Sequence, residues 1–328
     1  MYKVFVTRRI PQEGLDLLSG AGLGLESFAD DNPISRQELL EKVAGMDGLL
    51  CLLSERIDKE LMDAAGSLRV IANYAVGYDN IDVAEATRRG IIVTNTPGVL
   101  TVATAEMAWA LLFSIARRVV EADLLMRQTK GFRGWEPMLL LGEDVSGKTL
   151  GIVGAGRIGR AMARMSRGFD MRVLYFSRSV KEDFQKETGA QKVDLDTLLR
   201  ESDFVSLHVP LMPETHHLIG RRELSLMKNT ACLINTARGP VVDEKALVDA
   251  LRGKTIAGAG LDVYEEEPRL APGLTELDNV VLAPHLGSAT VEARRNMSTM
   301  AAENMIAGLR GERPENTVNP EVFKTTGR

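Results

Sequence analysis

A chain of 328 residues exceeds the ~250–300 at which a single hydrophobic core stops growing, so two domains are expected. The formal charge of −5, with no run of five basic residues, argues against nucleic acid or an anionic membrane as partner, since both require a dense cationic face. With 45% hydrophobic and 26% charged residues, the composition is that of an ordinary folded domain rather than a disordered or fibrous chain.

The opening MYKVFVTRRIP lacks the basic-then-apolar pattern of a leader peptide. The most apolar later stretch, Ala108 to Ala116, is nine residues long and bracketed by Glu106 and Arg117, too short to span a bilayer. Cys51 and Cys232 sit in apolar runs with no Cys or His at metal-ligand spacing, so buried thiols and no metal site are expected. A cytoplasmic location follows as the expectation.

From the first residue, short apolar runs alternate with helical patterns. Val4–Thr7 reads as a strand and Glu13–Ser19 as a helix. Strand-like GLLCLL (48–53), LRVIANY (68–74) and IIVTN (91–95) then alternate with helical DKELMDAAG and DVAEATRRG. A long helix is expected from about Ala103 to Gln128. A second series of apolar runs follows: TLGIVG, MRVLYF, FVSLHV, ACLINT, TIAGAGLDV and VVLAPH. Runs this short and this continuously apolar, flanked by Gly, Pro and Asp, fit parallel strands buried on both faces with crossover helices. The series ends near His285. The remaining 40 or so residues, with one helix from roughly Thr290 to Leu309, cannot build their own core and should pack back on the N-terminal domain. The expected organisation is therefore a discontinuous domain, 1–98 plus 288–328, and an inserted domain, 99–287, with an interdomain cleft between the two doubly wound sheets.

Gly154, Gly156 and Gly159 form a GxGxxG that follows an apolar strand and opens a helix carrying Ile158, Met162 and Met165. That context is what gives the motif weight as a dinucleotide site. Gly154 permits the tight turn, Gly156 lets a pyrophosphate approach the backbone, and Gly159 lets helix and strand pack closely. The next strand ends at Phe176, and Ser177 lies 18 residues after Gly159, where NAD-selective sites place a carboxylate for the ribose 2′-hydroxyl. Here Ser177, Arg178 and Ser179 stand instead. A guanidinium pairs bidentately with phosphate, so NADP(H) is the preferred cofactor. Serine also tolerates a ribose hydroxyl, which leaves NAD(H) open.

Four histidines are present. His216 and His217 fall in a polar loop and should be exposed. His208 ends a strand but has no charged partner in sequence. His285 follows the last strand, on the edge where open α/β sheets bind ligands. Two further segments at that edge carry Arg238 (LINTARG) and Glu267 with Asp262 (LDVYEEEP). Taken singly these residues fit an ion pair, a solvated acid and a helix-start residue. Together, an arginine to clamp a carboxylate, a histidine to donate a proton and an acid to orient it are what reduction of a 2-keto acid needs.

The stretches LLSERID (52–58), NYAVGYDNIDV (73–83), NTPGVLTVATAE (95–106), GKTLGIVGAGRIGRAMA (147–163), HVPLMPETHHLIG (208–220), LINTARGPVVDEKAL (233–247), GLDVYEEEP (260–268) and APHLGSAT (283–290) resemble the D-2-hydroxyacid dehydrogenases, most closely their glyoxylate/hydroxypyruvate reductase branch. The resemblance implies an α/β fold of a flavodoxin-like substrate domain and a Rossmann NAD(P) domain. It implies Arg238 as carboxylate anchor, Glu267 as orienting acid and His285 as proton donor. Val76 and Gly77 would offer backbone N–H groups to the substrate carboxylate, with Leu53 lining the pocket. Thr104, Arg157, Ile158, Pro210, Thr236, Ala237 and Asp262 would lie near the cofactor. The helix from Ala103 and the following GFRGWEPMLLLG resemble the family's homodimer region, where Trp135 would either reach the partner's active site or serve as an interface anchor.

The chain departs from NAD-preferring members at Ser177. It ends at Arg328 without the regulatory domain many phosphoglycerate dehydrogenases carry, and it has Glu267 where formate dehydrogenases place Gln. A small unphosphorylated keto acid is therefore the expected substrate. Another D-2-hydroxyacid dehydrogenase, such as one acting on D-3-phosphoglycerate, is the alternative within the family. A nucleotide-sensing corepressor on the same fold is the alternative outside enzymology.

Overall fold

The apolar runs of the sequence become the strands of two parallel sheets, in a computed structural model that describes residues 1–30, 32–128 and 131–325. Residues 326–328, the end of the expected 288–328 segment, lie outside that set. In chain order the elements begin with β1 (Lys3–Val6), α1 (Gln12–Gly20), β2 (Gly24–Ser27), α2 (Arg36–Val43), β3 (Gly48–Cys51), α3 (Lys59–Ala65), β4 (Val70–Asn73), α4 (Val83–Arg88) and β5 (Ile92–Thr94). Next come α5 (Thr101–Ala116), α6 (Val119–Arg127), β6 (Thr149–Val153), α7 (Arg157–Met165), β7 (Arg172–Phe176), α8 (Glu182–Thr188), β8 (Gln191–Lys192), α9 (Leu195–Glu201), β9 (Phe204–Leu207) and α10 (Arg221–Leu226). The last are β10 (Cys232–Asn235), α11 (Glu244–Arg252), β11 (Gly258–Leu261), β12 (Val280–Leu282), α12 (Val291–Leu309) and α13 (Val322–Thr325).

The chain divides into two units, Met1–Leu100 with Ala289–Arg328, and Thr101–Ser288. The first holds a five-stranded sheet in the order β2-β1-β3-β4-β5. The second holds a seven-stranded sheet, β12-β11-β10-β9-β6-β7-β8. Every strand pair in both is parallel. The inner strands are buried on both faces, as in β3, β4, β9 and β10, which is why they read as unbroken apolar runs. Helices α2, α3, α4, α9, α11 and α12 each open on a Ser, Asp or Thr whose side chain accepts an N–H of the first turn.

In the first unit, α12 returns against α1. Ser298 Oγ donates to the Pro11 carbonyl at 2.7 Å and accepts from Gly14 N–H at 3.2 Å. A Cβ at Gly14 would collide with that hydroxyl and the Ser298 backbone, so the glycine sets how closely the two helices approach. Beyond α12, Asn319 seals the edge of β5 by accepting Val93 N–H at 2.8 Å and donating to the Ile91 carbonyl at 2.9 Å.

The expected helix over 103–128 is in fact two. Arg118 adopts a left-handed conformation (φ 53°) between α5 and α6. Glu143 N–H takes the Ala116 carbonyl at 2.8 Å, removing an acceptor the helix would need to continue, and Arg118 is tied to Glu121 at 2.6 Å. Two strands escaped the sequence reading, β2 and β8. Both are edge strands whose residues are half-buried or exposed, without the apolar run that marks the others. Among the described residues, no helix is long and apolar enough to cross a membrane.

Candidate active site

The strand order of the second sheet reverses between β6 and β9, and the glycine loop leaves β6 at that point. Gly154 has φ +104°, and a Cβ there would press on the His208–Val209 backbone at 2.7 Å. A Cβ at Gly159 would strike the Gly154 carbonyl, so helix and turn pack without room for a side chain. Gly156 differs: a Cβ would meet no protein atom within 4 Å. Among the described residues none stands over that open side, which leaves the backbone open to close approach by a phosphate. Gly156 also caps α7 without a side-chain acceptor, which leaves the first N–H groups of that helix for an anion.

Other groups fit a dinucleotide as well. The Thr236 hydroxyl is buried, with no hydrogen-bond partner among the described residues, at the carboxyl end of β10. Thr104 is buried beside Gly287, Arg157 is exposed, and Ile158 and Ala237 are half-buried. Pro210 is exposed after β9. Past β7, Ser177 donates to the Ser179 carbonyl at 2.6 Å, and Arg178 is exposed. Ser177 and Arg178 line a hollow with Phe176, Lys192, Val193 and Asp194.

Arg238, Asp262 with Glu267, and His285 follow the carboxyl ends of β10, β11 and β12 in turn. Asn235, which sequence reasoning passed over, shapes the first turn: its Oδ1 accepts Ala237 N–H at 3.0 Å and its Nδ2 donates to the Arg238 carbonyl at 3.0 Å. Thr236, Ala237 and Arg238 are thereby fixed. Arg238 Nη1 donates to the Ala237 carbonyl at 2.8 Å, and the side chain stays half-buried.

His285 Nδ1 lies 2.9 Å from Glu267 Oε2, which leaves Nε2 as the nitrogen free to face a substrate. Glu267 Oε1 accepts the backbone N–H of Tyr264 at 3.0 Å, so both carboxylate oxygens are held. Burial alone would raise the Glu267 carboxyl. The hydrogen bond and charge of His285, Tyr264 N–H and the charge of Arg238 outweigh it and hold the group below the usual carboxylate range. His285 itself sits at φ 55°, a left-handed conformation that costs a non-glycine residue and needs support.

Asp262 gives that support. It is fully buried, and its two oxygens accept Leu286 N–H at 2.6 Å and Gly287 N–H at 2.7 Å, while its carbonyl accepts His285 N–H at 2.9 Å. Burial raises its carboxyl, with the two N–H groups and His285 pulling the other way. Tyr264, also unremarked in the sequence, ties this end of β11 to β12 by donating its hydroxyl to the Ala283 carbonyl at 2.9 Å. The one signal for it was its place in LDVYEEEP.

Of the remaining histidines, His208 is half-buried with Nε2 at 2.9 Å from Ser206 Oγ, and burial pushes its imidazole down to about 3. His216 and His217 are exposed. In the first unit, Leu53, Val76 and Gly77 are half-buried at the carboxyl ends of β3 and β4. Asn95 Nδ2 donates to the Val76 carbonyl at 2.8 Å, which turns the N–H of Gly77 in the same planar peptide the opposite way. Asn73 Nδ2 holds the Gly77 carbonyl at 2.6 Å.

Residues 109–287 match the D-isomer specific 2-hydroxyacid dehydrogenase, NAD binding domain family. The chain belongs to the D-2-hydroxyacid dehydrogenases. Within the family it is 54% identical over 327 residues to a glyoxylate reductase of Thermococcus litoralis, covering 99% of this chain and 98% of that one. A Thermus thermophilus protein of solved structure superposes with a TM-score of 0.90 at 47% identity, over 96% of this chain and 99% of the other. An NADPH-dependent glyoxylate/hydroxypyruvate reductase from Sinorhizobium meliloti, solved with NADP and malonate, matches with a TM-score of 0.82 at 32% identity, over 97% and 96% of the two chains. The NAD-binding character of the second unit and its Rossmann architecture follow from this membership.

Proposed function

We propose that the chain reduces glyoxylate to glycolate, and hydroxypyruvate to D-glycerate, with NADPH as the preferred reductant. The observation that carries this reading is the Glu267–His285 pair on the sheet edge that also bears Arg238 and the glycine loop. The relatives' names, glyoxylate reductase above all, supply the substrate. Arg238 would hold the keto acid's carboxylate through two parallel hydrogen bonds. The backbone N–H groups of Val76 and Gly77 are proposed to share that carboxylate, with Leu53 as an apolar wall. His285 would donate the Nε2 proton to the carbonyl oxygen, with Glu267 keeping Nδ1–H engaged and the ring in one orientation. When bound, the reduced nicotinamide supplies hydride to the keto carbon. The neutral imidazole then recovers a proton from solvent.

The hollow with Ser177 and Arg178 supports NADPH over NADH, since no carboxylate at position 177 repels a 2′-phosphate. Apolar side chains exposed over 119–141, with Trp135 85% and Met138 76% exposed, support a homodimer in which this region is covered. Burial of both thiols, Cys51 and Cys232, supports a reducing, cytoplasmic location.

The test is a matrix of initial rates: NADPH and NADH against glyoxylate, hydroxypyruvate, pyruvate and 3-phosphohydroxypyruvate. The reading expects the highest kcat/KM for NADPH with glyoxylate or hydroxypyruvate. A preference for the phosphorylated acid would move the chain to the phosphoglycerate branch, and tight NADPH binding with no turnover would favour a sensor.

A further inference from the structure

Of the three histidines that the proposed reduction leaves unused, two lie side by side. The rings of His216 and His217 sit 4.1 Å apart, centroid to centroid, inclined by 32°. His217 Nε2 lies 2.6 Å from Glu265 Oε1. The ligand atoms of the three residues fall within 4.8 Å of one another, and among the described residues they are the only such convergence of three or more His, Cys, Asp or Glu side chains.

The backbone holds them there. His216 N–H donates to the Met212 carbonyl at 3.0 Å, and His217 N–H donates to the Pro240 carbonyl at 2.8 Å. Glu265 is fixed twice over by Glu244: its N–H donates to Glu244 Oε1 at 2.7 Å, and its Oε2 accepts Glu244 N–H at 3.2 Å. Glu265 Oε1 is thus the oxygen left to face the imidazoles. Both histidines are exposed, so an ion could arrive from solvent.

We propose that His216, His217 and Glu265 form a binding site for a divalent transition metal of the zinc or copper class. Two imidazoles and one carboxylate suit these borderline ions and do not suit magnesium or calcium, which favour oxygen ligands throughout. Tetrahedral zinc with bonds of about 2.0–2.2 Å sets its ligand atoms roughly 3.3–3.6 Å apart, so the exposed rings need only small rotations to close on it. The fourth position is left to water. An ordinary ion pair between His217 and Glu265 explains their contact but gives His216 no task; the metal site uses all three. An ion bound here ties the 208–220 loop to the turn that carries Glu267.

The experiment is calorimetric titration of tag-free, full-length protein with ZnCl₂ in a non-coordinating buffer, repeated with CoCl₂ to read the visible spectrum. One Zn²⁺ per chain is expected, with a tetrahedral Co²⁺ band. His216→Ala and Glu265→Gln should each weaken Zn²⁺ binding at least about tenfold and abolish that band, while His285→Ala keeps both. His216 carries the test even if His217→Ala fails to fold, because its backbone conformation is not left-handed. No saturable uptake, uptake that survives His216→Ala unchanged, or uptake lost in His285→Ala would each overturn the assignment.

Discussion

The carboxyl ends of β9 and β12 each present a histidine on the same sheet, and the two are prepared for opposite behaviour. Among the described residues His208 has a serine hydroxyl for a neighbour and no carboxylate, and burial pushes it down to about 3, so it stays neutral at physiological pH. His285 has Glu267 at 2.9 Å, Arg238 close enough to lower that carboxyl further, and a buried aspartate holding its turn. A strand end and a histidine do not make a proton donor. The carboxylate partner is the difference between the two, because it engages Nδ1 and so fixes which nitrogen is exposed.

Substitution on the two sides should widen or collapse this contrast. The largest effect belongs to His285→Ala, which should lower turnover by about 10²–10⁴-fold while NADPH affinity, measured by fluorescence titration, is retained. Turnover at the parent level would end the proton-donor assignment. Glu267→Gln keeps the shape but not the charge. It should cost roughly 10–10²-fold in turnover with cofactor affinity retained, because the amide holds Nδ1–H and the ring's orientation less firmly than the carboxylate does. Turnover at the parent level would show that Glu267 acts only through packing.

Asp262→Asn removes the charge from a fully buried acceptor of two backbone N–H groups and replaces one accepting oxygen with a donor. Stability should fall by about 1–3 kcal/mol in denaturant unfolding, with a smaller loss of turnover as the His285 turn loosens. Stability equal to the parent's would mean that the turn needs no such clamp. His208→Gln is the control and should leave turnover within about twofold at neutral pH. Its effect lies in acid. The folded ring titrates near 3 and the unfolded one near 6.5, so the stability tied to its neutrality is complete above 6.5 and drains away as pH falls towards 3. Glutamine has no such dependence, so the variant's unfolding midpoint should fall less between pH 7 and pH 4.5 than the parent's.

The parts of this architecture that the sequence revealed are those in which one residue type meets one physical demand. The glycine loop is such a case, since Gly154 and Gly159 sit where a Cβ would strike backbone and Gly156 sits where it would meet nothing. Buried parallel strands are another, legible as unbroken apolar runs. The edge strands β2 and β8 were hidden because half their surface faces water and their composition reports that rather than their pairing. The break at Arg118 was hidden because its cause, Glu143 capturing the Ala116 carbonyl, lies 25 residues further on and involves a backbone group that every residue possesses. The same reasoning covers Asn235, and the turn-holding bonds of Asp262, which the sequence marked only as a neighbour of the cofactor. Each is an ordinary polar residue at a strand end until coordinates show which N–H groups it collects.

The return of α12 to α1 also has a bearing on how the chain is made. The inner unit is covalently complete once Ser288 has been joined, whereas the hundred residues synthesised before it still lack the helix that Gly14 is shaped to receive. The part of the protein that leaves the ribosome first is therefore the last able to finish folding, and until then it must keep an apolar flank out of trouble. Shortening the chain before Ser298 would leave that flank permanently bare, so nascent chains cut at that point should be caught by chaperones while the inner unit is already resistant to protease.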